Sequence, residues 1–285
     1  MGGRRVQGSQ GRGRAVRGRA SRRSGFAKVA ALLSLSFVTA VQARDLQGDF
    51  LYLSGQMDHL STASGGGGGG LEWVVPTSPR AGVSLGGYSF SLAGGRWSYG
   101  KAGGYFKPGE RTAVYGEADR GAGRQSSGRI TYEVYKAGLT QALAGKRVYA
   151  DVENNYIHIG DTEENLVRVG LILQPSPALG VRLNHNFSTS GSVGSRFASG
   201  RFDWDRKRIK LLGGLTIGRT TPERFNLLTT SSGAVRSREF FAGVSIPAGG
   251  STMTLVLDNL RLPDARRYTL SVGWKLPLEK SFPRH

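Results

Sequence analysis

The chain has 285 residues, of which 44 are glycine and none is cysteine, and its formal net charge is +19. The absence of cysteine excludes disulfides, thiolate catalysis, cysteine-ligated zinc and iron–sulfur clusters. The high glycine content argues against long helices, because glycine is a poor helix former.

Residues 1–43 have the organisation of an export signal. Nine basic residues and no acidic residue lie within 1–28, the apolar run 29–41 follows, and Val41 and Ala43 fit a small-residue cleavage site. The apolar run is shorter than the ~20 residues that a transmembrane helix needs. We therefore predict a cleaved signal peptide over 1–43, with Val16 as an alternative translation start.

The predicted signal peptide accounts for much of the positive charge. It holds nine of the 39 basic residues and none of the 20 acidic ones, which leaves 30 basic and 20 acidic residues and a net charge of +10. This remainder suggests anionic partners such as lipopolysaccharide phosphates, anionic solutes or acidic polysaccharide. We expect no nucleic-acid partner, because much of the basicity belongs to the signal.

The rest of the chain predicts a succession of about fourteen β-strands, with ten to twelve as the alternative. Segments of about ten residues alternate between apolar and polar side chains and are separated by turn-rich breaks. The predicted strands are 48–59, 69–76, 81–92, 96–106, 111–118, 128–139, 146–158, 164–174, 178–188, 196–205, 208–218, 238–246, 251–260 and 266–276. In the strand 128–139, Ile130, Tyr132 and Val134 form the apolar face, opposite Arg129.

The lengths of the connections also alternate. Those after even-numbered strands are short turns, whereas those after odd-numbered strands are often longer, as in 64–70, 120–128, 188–195 and 219–237. The glycine run 65–70 is expected to be a flexible surface loop. Short turns and both chain ends at one rim, with longer loops at the other, are typical of bacterial outer-membrane barrels.

The final strand shows the clearest alternation. Tyr268, Leu270, Val272, Trp274 and Leu276 share one parity, and small, polar or basic residues occupy the other. Since side chains on a strand alternate between faces, one face is apolar and aromatic.

These features together resemble those of Gram-negative outer-membrane β-barrel proteins over residues 48–278. The resemblance implies a transmembrane antiparallel up-and-down β-barrel over 44–278, located in the outer membrane. It also implies contact with outer-membrane lipids and lipopolysaccharide and insertion by the outer-membrane assembly machinery. The apolar face of the last strand looks like the C-terminal assembly signal of this class, which normally ends on Phe or Trp. Here the tail 279–285 follows it instead.

Charged side chains on the polar parity imply a polar lumen, because an Arg or Lys facing lipid near the midplane would cost ~2–4 kcal/mol. Eight basic residues are predicted to line the lumen: Arg129, Arg168, Arg182, Arg201, Arg208, Lys210, Arg267 and Lys275. They are joined by Glu133, Asp151, Glu153, Asp203 and Asp205. Two interpretations follow: a conduit that favours anions, or a salt-bridge network that plugs the barrel.

The sequence therefore favours a porin-like channel for small anionic solutes, acidic oligosaccharides or polysaccharide. The alternative is a non-conducting barrel with structural or recognition roles, whose surface loops bind a partner. An outer-membrane lipid hydrolase is less favoured. Such enzymes place His and Ser two residues apart on a strand, whereas His185 and Ser188 are three apart and face opposite sides. We predict no enzymatic activity, no cofactor and no metal.

Overall fold

The computed structural model describes residues 49–278 except 62–64, 93–94, 126–127, 146, 161, 192–193, 207 and 221–233. The predicted signal peptide 1–43 and the tail 279–285 lie outside the described residues. Fourteen strands are present: β1 (Phe50–Leu60), β2 (Gly66–Ser78), β3 (Ala81–Leu92), β4 (Gly95–Gly109), β5 (Thr112–Gln125), β6 (Gly128–Ala144), β7 (Val148–Ile159), β8 (Thr162–Ser176), β9 (Leu179–Gly191), β10 (Arg196–Arg206), β11 (Ile209–Thr220), β12 (Val235–Ala248), β13 (Ser251–Arg261) and β14 (Arg266–Pro277).

The strands form one closed, antiparallel, up-and-down β-barrel. From β2 to β14, each strand pairs with its neighbours in sequence, and β1 pairs with β14 through a register that runs from Phe50–Pro277 to Leu60–Arg267. β1 also lies beside β2, where the Ser54 hydroxyl donates to the Gly70 carbonyl at 3.4 Å. The predicted fold class and the count of fourteen strands are confirmed. No helix in the described part of the chain is long and apolar enough to cross a membrane.

The two ends of the barrel differ less than the sequence predicts. We call the end at which β1 begins and β14 ends, with the connections 79–80, 110–111, 177–178 and 249–250, the turn rim, and the opposite end the loop rim. At the loop rim, β2 begins at Gly66 and β5 runs to Gln125. Most of two predicted loops is therefore strand, and the connections there shorten to 61–65 and 126–127. The connection between β11 and β12 is 221–234, which is shorter than the expected 219–237 but still the longest at this rim.

The glycine run belongs to β2 because large rings of β3 pack across it. A Cβ atom on Gly70 would lie 2.2 Å from Cδ1 of Tyr88, and one on Gly68 would lie 2.3 Å from Cβ of Phe90. The same arrangement recurs inside the barrel: a Cβ on Gly123 would lie 2.3 Å from Cδ1 of Trp97. Glycine is thus required where a ring from the neighbouring strand lies flat against the backbone.

The outer wall of the barrel is apolar and the inner wall is largely polar. Leu85, Phe202, Leu257 and Trp274 are among the large apolar side chains that remain exposed on the outward face. Alternate residues of the same strands point inward and are buried. This is the arrangement expected of a barrel whose outer face meets lipid.

Candidate functional site

A belt of buried charged side chains lines the middle of the lumen on ten of the fourteen strands. Among the described residues it contains seven carboxylates and five cations, contributed by β1, β2, β4–β9, β13 and β14. They are Asp58, Glu72, Glu117, Asp119, Asp151, Glu153 and Asp258, with Lys101, Lys136, Arg168, Arg182 and Arg267. We call these twelve residues the charged belt. It carries no surplus of basic groups.

One part of the charged belt is a chain of ion pairs across β2, β4, β5 and β6. Lys101 Nζ lies 2.7 Å from Glu117 Oε2 and 3.4 Å from Glu72 Oε2. Lys136 bonds to Glu117 as well and lies 3.7 Å from Asp119 Oδ2. Each carboxylate therefore has a cation within reach, which a buried charge requires because desolvation is costly.

A second part is built around Arg168 on β8. Its Nη2 lies 2.8 Å from Asp151 Oδ2 and 2.9 Å from Glu153 Oε2, and it donates to the Tyr115 hydroxyl at 3.0 Å. The Tyr115 hydroxyl donates in turn to Glu153 Oε2 at 2.6 Å, and Thr140 Oγ1 donates to Asp151 Oδ1 at 2.9 Å. This guanidinium therefore links β5, β6, β7 and β8 across the inner wall.

A third part joins the first strand to the last two. Arg267 Nε lies 3.6 Å from Asp58 Oδ1, and its Nη2 lies 4.0 Å from Asp258 Oδ1. Thr269 Oγ1 donates to Asp58 Oδ1 at 2.7 Å, and Gln56 Nε2 donates to Asp58 Oδ2 at 2.9 Å. These contacts stabilise the seam at which the barrel closes.

Towards the loop rim, part of the lumen is apolar, whereas Glu164 at the start of β8 is a buried charge at the same rim. A buried cluster packs there, with partly buried side chains against it. The cluster consists of Leu60, Phe90, Leu92, Trp97, Ile130, Ile159 and Leu260, and the side chains against it are Tyr99, Tyr132, Ile157 and Leu262. We call these eleven residues the apolar mouth. It is a packed aliphatic and aromatic cluster inside a barrel whose middle is charged.

Stacked rings organise the apolar mouth. Phe90 and Trp97 stack with centroids 5.2 Å apart and planes 10° apart, and Tyr99 stacks on Tyr132 at 4.7 Å and 20°. Such stacking distances are typical of favourable aromatic pairs. The chemistry of this surface suits flat, uncharged, apolar molecules, whereas an anion would lose its hydration there without gaining a partner.

The predicted lumen residues fall into three groups. Arg168, Arg182 and Arg267 are buried in the charged belt. Arg201 is partly buried and pairs with Asp203 at 2.7 Å, while Lys210 and Lys275 are half-buried on the inward parity near the turn rim. Arg129 and Arg208 do not line the lumen, since both are exposed.

The prediction for Arg129 was wrong because the facing of β6 is reversed. Ile130 and Val134 are buried inside the barrel, and Arg129 is exposed on the outer face. Glu133, predicted to face inward, instead pairs with Arg120 at 2.9 Å on the outward parity. The sequence prediction placed apolar side chains on the lipid-facing side of each strand. At the loop rim, however, part of the barrel interior is apolar as well, so this rule gave the wrong facing for β6. Arg208 lies in the turn between β10 and β11.

Sequence reasoning missed more than half of the charged belt. Asp58 and Glu72 are the only charges on their strands. Lys101, Lys136 and Asp258 have no charged neighbour within two residues, so only their positions in the barrel group them with the others. A local signal existed on β5, where Glu117 and Asp119 are two residues apart. Two acids at that spacing share one face of a strand, and neither would be stable facing lipid.

His185 and Ser188 lie on opposite faces of β9, as their spacing predicts. The His185 ring is on the outward parity, 6.1 Å from the Phe187 ring. The Ser188 hydroxyl donates to Glu164 on the inner side. The two side chains therefore cannot form a nucleophile–base pair.

The five predicted assembly residues share the outward face of β14. Tyr268, Val272 and Trp274 are exposed, and Leu270 and Leu276 are half-buried. The Trp274 indole donates to Ser251 Oγ at 2.7 Å. Their role in assembly stays a prediction.

No family model matches the sequence, and no curated protein matches it. Solved structures with the same fold include CymD, a monoaromatic hydrocarbon channel, with a TM-score of 0.61, 8% identity, and coverage of 90% of this chain and 96% of that one. The toluene transporter TodX of Pseudomonas putida has a TM-score of 0.59, 10% identity and coverage of 87% and 94%. A bacterial polysaccharide outer-membrane secretin reaches a TM-score of 0.51 at 10% identity, covering 81% and 99%. The chain thus has the fold of outer-membrane β-barrel channels.

Proposed function

We propose that the protein is an outer-membrane channel for small apolar molecules, which bind first at the apolar mouth. The observation that carries this proposal is the buried aromatic and aliphatic surface inside the lumen at the loop rim. The similarity to hydrocarbon channels supports it, since the fold of CymD and TodX is shared across most of both chains. Enzymatic activity is not part of this proposal.

The proposal replaces the anionic solute that the sequence favoured. A positive ladder inside the lumen would have supported anions, but seven carboxylates and five cations make up the charged belt. A polysaccharide conduit is not favoured either, because the belt side chains bond to one another across neighbouring strands.

A charge placed in the apolar mouth tests the proposal. Ile130→Asp puts a carboxylate where Ile130 is 7% exposed, and Thr131→Asp puts the same group on the exposed outward position next to it. We expect uptake of radiolabelled toluene by cells that make the protein to fall at least several-fold in Ile130→Asp and to stay unchanged in Thr131→Asp. Outer-membrane fractionation and heat-modifiable migration on gels establish location and folding for each variant.

Equal toluene uptake by both variants and the wild type would overturn the proposal, as would uptake no faster than in cells without the protein. Recovery of the protein in the soluble periplasm would overturn the proposed location.

A second candidate is a non-conducting barrel that recognises a partner. The density of the charged belt favours it, because two of its carboxylates, Asp58 and Asp151, are at most 1% exposed and lie in ion pairs. Absence of both single-channel conductance in planar bilayers and toluene uptake would favour this candidate over the channel.

A further inference from the structure

Six arginines form one patch on the outer face of β10–β14, next to the loop rim. They lie in two cross-strand rows of three, each row made of residues that are direct partners in the strand register. The rows are Arg196–Arg219–Arg236 and Arg238–Arg261–Arg266. All six are exposed. We call them the arginine patch.

The arginine patch is electrostatically unfavourable by itself. Direct partners on antiparallel strands have Cβ atoms about 4.5–5.5 Å apart, and like charges at that distance destabilise a sheet. In the described part of the chain, no carboxylate forms an ion pair with any of the six. Two of them bond to neutral groups: Arg219 Nη2 donates to the Ala234 carbonyl at 3.1 Å, and Arg261 Nε donates to Asn259 Oδ1 at 3.1 Å.

The arginine patch lies where the apolar outer wall ends. Ile217 is two residues from Arg219 towards the turn rim, Phe240 two residues from Arg238, and Tyr268 two residues from Arg266; these three apolar side chains are 47–58% exposed. Residues two apart on a strand share a face and lie about 7 Å apart. A lipid whose acyl chains contacted the apolar residues would therefore carry its headgroup at the level of the arginines.

We propose that the arginine patch binds the phosphate groups of lipid A, the membrane anchor of lipopolysaccharide. Arginine suits this ligand because its planar guanidinium bonds phosphate through two parallel donors. Several phosphates would also relieve the repulsion within each row, and acyl chains would cover Ile217 and Phe240. The inference rests on the outer-membrane location given under the proposed function, with the loop rim facing outward.

Binding of fluorescent bisphosphoryl lipid A to the full-length protein in detergent tests the proposal. The test variant is Arg236→Gln/Arg238→Gln, since β12 supplies one member of each row. Its matched control is Arg80→Gln/Arg147→Gln, which removes two exposed arginines from turns at the opposite rim. We expect at least about tenfold weaker binding in the test variant and no change in the control, because each arginine near an anionic lipid surface contributes measurably to binding.

Two further measurements separate lipid A from other sources of phosphate and from misfolding. Dephosphorylated lipid A should bind wild type and test variant equally, and millimolar inorganic phosphate should not displace bisphosphoryl lipid A. Without lipid, the test variant should unfold at the same temperature as the wild type or a higher one, since repulsion is removed. Lipid A should then raise the unfolding temperature of the wild type more than that of the variant.

Equal lipid A affinity in the wild type and the test variant would overturn the proposal, and so would an equal loss in the control. Displacement by inorganic phosphate would reassign the patch to a general anion site. Toluene uptake by the test variant should match that of the wild type. Failure of the lipid A proposal would therefore leave the proposed channel function untouched. The Ile130→Asp variant tests that function independently.

Discussion

Arg168 shows how a single residue holds one part of the charged belt together. Its guanidinium contacts Asp151, Glu153 and the Tyr115 hydroxyl, and all three partners are buried. Removing one member of a buried ion pair is far more costly than losing a surface pair, because an unpaired buried charge is left behind. Arg168 leaves two.

Replacement of Arg168 by Ala should therefore destabilise the folded barrel by roughly 3–5 kcal/mol. Arg129→Ala provides a matched control, because Arg129 is exposed on the outer face and should tolerate the change. Urea unfolding in detergent, followed by tryptophan fluorescence, measures both. A similar midpoint for the two variants would mean that the belt contributes little to stability.

Gly138 must lack a side chain, because the ring of Tyr115 occupies the space that a Cβ atom would need. A Cβ atom there would lie 2.3 Å from Cζ of Tyr115, and hydrogen bonds to Glu153 and Arg168 hold that ring in place. The ring cannot move aside without breaking those bonds, so the contact cannot be relieved cheaply.

We expect Gly138→Ala to destabilise the barrel by roughly 1–3 kcal/mol, the usual cost of overpacking. Gly87→Ala is the control, since a Cβ on Gly87 would meet nothing within 4 Å. The comparison of urea midpoints is direct, because both changes add one methyl group to a strand. If Gly87→Ala is the more damaging variant, ring packing is not the reason for the glycine at 138.

Among the strands, β14 combines two predicted roles in one element. Its outward face carries the five aromatic and aliphatic assembly residues, and its inward face carries Arg267 of the charged belt. It also closes the barrel by pairing with β1. A defect on its outward face should therefore act during insertion, before the seam is formed.

Trp274→Asp should block membrane insertion, because it places a charge on a lipid-facing side chain that is 46% exposed. Deletion of 279–285 should be tolerated. The fraction of heat-modifiable protein in outer membranes measures both effects. Loss of assembly on deleting the tail, with Trp274→Asp inserting normally, would show that the assembly signal lies elsewhere.

The sequence predicted where the strands lie better than it predicted which face of each strand points into the barrel. The alternation of β8, β9, β11 and β14 predicted the facing of Arg168, Arg182, Lys210 and Arg267, because the apolar side chains that alternate with them face outward. On β6 the same rule failed, since Ile130 belongs to the apolar mouth. Alternation shows that two faces differ; which of them is inside depends on depth in the barrel.

Cross-strand groupings could not be predicted, because they depend on register. The arginine rows and the ion-pair chain of Lys101 and Glu117 each join residues from different strands. A third arginine row, Arg96–Arg124–Arg129, lies on β4–β6 for the same reason. A shift of one residue in any pairing would disperse these groups without changing the alternation within a strand.

For the whole molecule, net charge was a poor guide to the lumen. The chain is basic, yet many of its arginines are exposed on the outer wall near the loop rim, whereas the charged belt holds more carboxylates than cations. The net charge of the whole chain therefore does not predict the balance of charge in the lumen.

If the barrel conducts ions, it should show no preference for anions. The reversal potential across a salt gradient in planar bilayers measures this preference, and low ionic strength makes the measurement most sensitive because screening is weakest. Clear anion selectivity would contradict the inferred balance of charge in the lumen and restore the anionic solute as a substrate class.

The packing of rings over glycines also constrains how this sequence can evolve. A larger residue at Gly70 or Gly123 would collide with Tyr88 or Trp97, and a small residue in place of the ring would leave a void. A substitution of the glycine alone or of the aromatic residue alone would destabilise the barrel, so the two positions should change together. Homologous sequences should therefore show correlated substitutions between neighbouring strands at these pairs, recording the register of the barrel in the covariation of its sequence.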